Sequence, residues 1–150
     1  MSGRAEKEET LRRLIAELRL MQSSAETLQQ RLELLKTMEA ELRIAESALK
    51  TLREMREGTP ILIPIGGGAY IDARLGEVNR VIMGVGADVS VEMKPEKALE
   101  NITDRLEEVE RTSKVVEQQL RQLLTQIEIH QEGISRLAAE LRGGAGVRET

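Results

Sequence analysis

Apolar residues recur at steps of three and four along two long stretches, and at every second position in the shorter stretch between them. From Ala5 to Glu57 there is no Gly or Pro, and Leu, Glu, Arg, Ala and Gln dominate, so propensity and pattern both predict one long helix. Its apolar positions run Leu11, Leu14, Leu18, Met21, Ala25, Leu28, Leu32, Leu35, Met38, Leu42, Ala45, Leu49 and Leu52. A single three-for-four slip follows Leu35, and a slip of that kind overwinds a coiled coil locally.

The last third carries the stricter pattern, from Leu99 through Ile102, Leu106, Val109, Ser113, Val116, Leu120, Leu123, Ile127, His130, Ile134 and Leu137 to Leu141. Only Ser113 and His130 interrupt the apolar seam, which is sustained well past the length that marks a coiled coil. Pro95 suits the start of that helix and Gly143-Gly144 suits its stop.

Between the helices, short runs of Ile, Val, Leu and Met are punctuated by Gly, Asn, Asp and Pro, the pattern of strands and turns. Four strands are predicted, 61–65, 69–75, 80–85 and 89–93, with turns at Gly66-Gly67-Gly68, at 76–79 and at Gly86-Ala87-Asp88. Alternation places Tyr70, Asp72 and Arg74 on one face of the second strand and Ala69, Ile71, Ala73 and Leu75 on the other, which predicts a half-buried sheet.

The expected fold is therefore α+β: a long antiparallel coiled-coil hairpin with two β-hairpins at one end. The two helical stretches are nearly equal in length, and a partner on the same chain is held at high effective concentration. Helix 1–57, double hairpin 58–95, helix 96–142 and a disordered tail 143–150 make up the expected organisation. Both termini are expected to lie together, with Leu11 near Leu141 and Leu52 near Ile102.

About 35 residues with a single aromatic cannot bury enough apolar surface to stand alone as a sheet, so the strands need other subunits. Pro64 cannot donate to a ladder; its strand is expected at an edge or to carry a bulge, leaving the other edge open for pairing. Closing strands of several chains into a barrel abolishes such edges.

Composition sharpens this picture. Aromatic residues are 1% of the chain, Tyr70 alone, whereas charged residues are 32%, a balance suited to extended helices rather than to a compact enzyme. The net charge of -4, with no basic cluster, argues against nucleic acid as a partner. The longest apolar run, 61–71, is too short for a membrane span and is broken by Pro64 and three glycines. No Cys is present, which fits a reducing, cytoplasmic setting.

The block T-P-I-L-I-P-I-G-G-G-A-Y-I-D-A-R-L, followed by V-I-M-G-V-G-A-D-V-S-V-E-M, resembles the double hairpin of the α-class subunits of the prefoldin family, and the flanking heptads cover nearly all the rest. The resemblance implies a non-enzymatic, ATP-independent chaperone without cofactors. Its partners are β-class prefoldin subunits, two α with four β chains, around a double β-barrel body with six coiled-coil tentacles. The tentacle ends capture unfolded polypeptide and deliver it to a group II chaperonin. Carried onto this chain, the client-binding ends are Leu11, Leu14, Ile15 and Leu18 with Ile134, Leu137 and Leu141. The oligomerisation residues are Ile61, Ile63, Ile65, Ile71, Leu75, Val81, Met83, Val85, Val89 and Val91.

Other readings of the same residues stay open. A coiled-coil spacer that oligomerises through its strands but binds no client has the same pattern, and the distal apolar residues serve it as ordinary seam positions. His130 could act as a pH switch or metal ligand, but it has no second ligand at helical spacing, and a polar seam residue commonly sets register. Neither glycine cluster is followed by Lys-Ser or Lys-Thr, so both read as turns and not as phosphate loops. Asp72 with Glu77, or Asp88 with Glu92, would need a pocket to act as an acid–base pair.

Overall fold

A computed structural model describes the backbone of residues 2–149 and the side chains of residues 3–143. Helix α1 spans Ser2–Glu54. Strands β1 (Pro60–Gly66) and β2 (Ala69–Arg74) form hairpin 1, strands β3 (Val81–Gly86) and β4 (Val89–Met93) form hairpin 2, and helix α2 spans Pro95–Glu149. Lys94 caps α2, its carbonyl accepting the Ala98 amide at 2.9 Å, so Pro95 occupies the first helical position, where its missing N–H costs nothing. The glycine pair expected to stop α2 lies inside it. Of the expected tail 143–150, the side chains beyond Gly143 lie outside the described residues.

The chain divides into two compact units, Met1–Lys36 with Thr112–Thr150, and Thr37–Arg111. In the first, the helices run antiparallel, as the cross-helix pairs Lys7–Glu140 (3.4 Å) and Lys36–Glu117 (3.0 Å) require. Its core is Ala25, Leu120 and Ile127, with Leu18, Met21, Leu28, Leu32 and Leu123 packed against them. Arg4 donates to the Leu141 carbonyl at 3.2 Å, so the start of α1 and the end of the described seam of α2 meet here. Leu141 is thus engaged about one turn nearer the start of α1 than a Leu11–Leu141 match expects.

The second unit holds the other ends of both helices, again antiparallel, with Arg53–Glu96 at 3.0 Å and Thr103 donating to Glu46 at 3.3 Å. Leu49, Met83, Ala98 and Ile102 form its core, so hairpin 2 contributes directly to the packing of the helices. The slip expected after Leu35 comes about one turn later. Met38 is 41% exposed, while the Glu39 side chain is only 17% exposed. The seam therefore steps Leu35, Glu39, Leu42, a four followed by a three, and the second successive three falls between Leu42 and Ala45, which packs against the core of the second unit. Glu39 bonds to Arg43 at 3.2 Å, and Arg43 also bonds across to Glu110, so the carboxylate that enters the seam is charge-compensated.

The strands form two separate two-stranded antiparallel sheets. In hairpin 1, Ile61 faces Ala73 and Ile63 faces Ile71; in hairpin 2, Val81 faces Met93 and Met83 faces Val91. Both close with two-residue turns whose central residues have positive φ, Gly67-Gly68 in one and Ala87-Asp88 in the other. That backbone matches the right-handed twist of the flanking strands. Each hairpin carries a register shift just before its turn, between Pro64 and Gly66 or between Gly84 and Gly86, so the bulge expected beside Pro64 is present.

Candidate functional site

The seven residues expected at the helix ends lie on one seam of the first unit. Leu11, Leu14, Ile15 and Leu18 on α1, and Ile134, Leu137 and Leu141 on α2, are all half-buried. Along the same seam, Val116, Leu120 and Ile127 are buried, and on α2 no described residue beyond Ile127 is. A two-helix seam has only one neighbour to cover each side chain, and towards the helix ends it loses the neighbours of the next turn. Leu28, Leu32, Leu35 and Leu123, farther along the seam, are half-buried as well.

His130 sits among these residues. Its Nε2 lies 2.9 Å from Glu17 Oε2 on the opposite helix, and its Nδ1 lies 3.3 Å from the Gln126 carbonyl. The imidazole thus ties α2 to α1 at a seam position, the bland role foreseen for it. Among the described residues, no three His, Asp or Glu side chains gather so as to hold a metal ion. Leu20, Leu34, Leu124 and Ile129 are exposed away from the seam and were not foreseen; they fall outside the three-four pattern, and scattered exposed leucines are ordinary.

The strand residues divide into two groups. Met83 is buried within its own chain, and Val81 packs beside it. Ile61 and Leu75 are half-buried, whereas Ile63, Ile65, Ile71, Val85, Val89 and Val91 are exposed. In the isolated chain only Ile61 and Ala73 of the strands of hairpin 1 are half-buried, and the other strand residues are exposed on both faces. Leu62 and Tyr70, on the face opposite Ile63 and Ile71, are 63% and 61% exposed. The signal for Leu62 was present in I-L-I-P-I, an unbroken apolar run of the kind that strands buried on both faces show. Arg105 of α2 donates to the Gly84 carbonyl at 3.3 Å, tying hairpin 2 to the helix. Between that hairpin and the helices of the same unit runs an open, largely apolar groove of about 480 Å³, bounded by Leu42, Leu49, Leu52, Val78 and Ile82. No described helix is long and apolar enough to cross a membrane.

A chain with paired helices and bare hairpins has known relatives. The family model for Prefoldin, described as prefoldin subunit, matches residues 21–140. A protein from Methanococcoides burtonii named prefoldin subunit alpha is 36% identical over 80% of this chain and 84% of its own length. Another of that name from Methanothrix thermoacetophila is 32% identical over 77% of this chain and 76% of its own. Among solved structures, filamentous PFD from Methanocaldococcus jannaschii superposes with a TM-score of 0.64 at 29% identity, covering 73% of this chain and 91% of that one. Two long helices, two antiparallel hairpins and these similarities together make the chain a member of the prefoldin family, resembling its α subunits.

Proposed function

We propose that this chain is the α-class subunit of an ATP-independent holdase, which joins β-class subunits through its hairpins and captures unfolded polypeptide at the chain-terminal seam. The observation that carries the reading is the contrast in burial. Hairpin 1 leaves Ile63, Ile65, Ile71, Leu62 and Tyr70 exposed, more apolar surface than a two-stranded sheet keeps in water, and so calls for partner strands. On hairpin 2, Val85, Val89 and Val91 are exposed as well.

At the other functional surface, Leu11, Leu14, Ile15, Leu18, Ile134, Leu137 and Leu141 are half-covered. Fully burying such a side chain is worth roughly 1.5–3 kcal/mol, so each contact with a client is weak and readily reversed. Several such ends acting together raise avidity by about 10²–10⁴ over a single one. An assembly of two α and four β chains in the cytoplasm, passing its clients to a group II chaperonin, is the form this function takes.

The test is light scattering. Mixed with a chemically denatured, aggregation-prone protein in the absence of nucleotide, the assembly suppresses scattering at near-stoichiometric ratio, and removing residues 1–18 and 134–150 abolishes suppression while sparing assembly. A coiled-coil spacer would leave scattering unchanged in both forms. The filamentous neighbour makes self-association the alternative to pairing with β-class chains. Mass measurement of this chain alone and with a β-class partner separates the two.

A further inference from the structure

His130 takes the next seam position after Ile127, where the buried part of α2 ends, and each nitrogen of its ring faces an acceptor. Nε2 lies 2.9 Å from Glu17 Oε2 on α1, and Nδ1 lies 3.3 Å from the Gln126 carbonyl one turn back on α2. An ionised carboxylate and a carbonyl only accept hydrogen bonds. A neutral imidazole carries one N–H and serves one of the two, so its other nitrogen presents a lone pair to an oxygen. The imidazolium carries both N–H groups and serves both, and its bond to Glu17 is charge-assisted as well.

Few other charges reach the ring. From α1 the charged groups facing it are Glu17 and, behind that, Arg13, whose Nε is 3.7 Å from Glu17 Oε1. On α2 the positions one turn either way are Gln126, Ile127, Gly133 and Ile134, none of them charged. The ring is 19% exposed, so solvent screens the pair only in part. Imidazole is the side chain whose charge changes between about pH 5 and 8, a range in which carboxylates and guanidinium groups keep theirs.

The seam beyond this pair is the half-buried set, with Ile134, Leu137 and Leu141 on α2 and Leu11, Leu14 and Ile15 on α1. Gly133 stands at the start of the α2 segment, and glycine inside a helix weakens it. We propose that His130 and Glu17 form a proton-operated latch on the terminal seam: the imidazolium holds α1 and α2 together, and loss of its proton lets residues 133–141 part from residues 11–15. The imidazolium is the form that bonds better in the closed seam, so the latch is closed at the acid end of the range and released as pH rises through it. Release uncovers aliphatic side chains, and its consequence for clients rests on the reading of this seam as the client-binding surface.

Two readouts on the assembly with a β-class partner keep the latch and that reading apart. The first is opening, read as hydrogen-exchange protection of the amides of residues 134–141, corrected for the pH dependence of intrinsic exchange. Protection should fall about three- to tenfold between about pH 6 and 8, the difference between a charge-assisted and a neutral bond. His130→Gln, which donates to Glu17 but does not titrate in this range, should lose that pH dependence, and so should Glu17→Gln. The second readout is the affinity for a reduced and alkylated, permanently unfolded protein. It should rise by a similar factor over the same pH range, and not in His130→Gln. Protection that stays flat with pH, or that falls as much in His130→Gln, overturns the latch. Protection that falls as stated while affinity stays constant overturns the client reading of this seam and leaves the latch standing.

Discussion

Hairpins 1 and 2 share a two-residue turn, a bulge at the same place before it and an alternating apolar pattern, yet they end in different surroundings. Hairpin 2 places Met83 among Leu49, Ala98 and Ile102, with Val81 and Met93 alongside, and is held by Arg105. Hairpin 1 buries none of its side chains. Local grammar therefore builds both ribbons, and the face a neighbouring helix covers decides which is part of the chain's own core. One hairpin is anchored within the chain; the other is left largely exposed.

Several substitutions sharpen or break that contrast. The largest effect is expected from Ile63→Ser with Ile71→Ser. Losing two interface isoleucines should weaken assembly by roughly 3–6 kcal/mol, read by sedimentation or native mass, while the unfolding midpoint of the dilute chain hardly moves. If the dilute chain is destabilised as much as the assembly, hairpin 1 is not reserved for partners. Next comes Met83→Ala, which should cost about 2–4 kcal/mol in urea unfolding followed by circular dichroism, because it opens a cavity in the core of the second unit. An equal loss from Ile71→Ala in the dilute chain would erase the distinction.

The turns provide a smaller, reciprocal pair. Ala87 has φ of 51° and Gly67 has φ of 60°. A Cβ in that region costs about 1 kcal/mol, so Ala87→Gly should raise the melting temperature and Gly67→Ala should lower it. Smallest of all is Glu92→Gln, which removes the exposed pair with Arg80 across hairpin 2. A change below about 0.5 kcal/mol is expected, and a larger one would mean that the hairpin is held by its charges as well as by Met83.

Much of the architecture was legible in the residues, for reasons specific to each element. The seam of α2 is visible because its steps never break, and the turns because glycine or short polar residues mark positions that need positive φ. Glu39 was not legible. Ranking by side-chain type favours Met38, whereas α1 holds its period for about one more turn and places the carboxylate in the seam, where Arg43 compensates it. The unequal burial of the hairpins was also hidden, since I-L-I-P-I and V-I-M-G-V read alike until the helices are packed. The position of the helix-end set on the seam was legible because heptads continue to the ends of both helices. Leu62 and Tyr70 could not be found by a rule that assigns only one face of a strand to the interior.

The chain of charges Glu39–Arg43–Glu110 has a consequence for how the helices find each other. A repeat of leucines every seven residues is degenerate, because sliding one helix past the other by a heptad, about 10 Å, matches leucine with leucine again. Such a slide would put Thr103 in place of Glu110 beside Arg43 or, in the other direction, Leu124 in place of Glu117 beside Lys36. Together with Lys36–Glu117, the Arg43–Glu110 pair acts as a vernier mark on an otherwise uniform scale, lifting the degeneracy so that neither neighbouring greasy alignment keeps both cross-helix pairs.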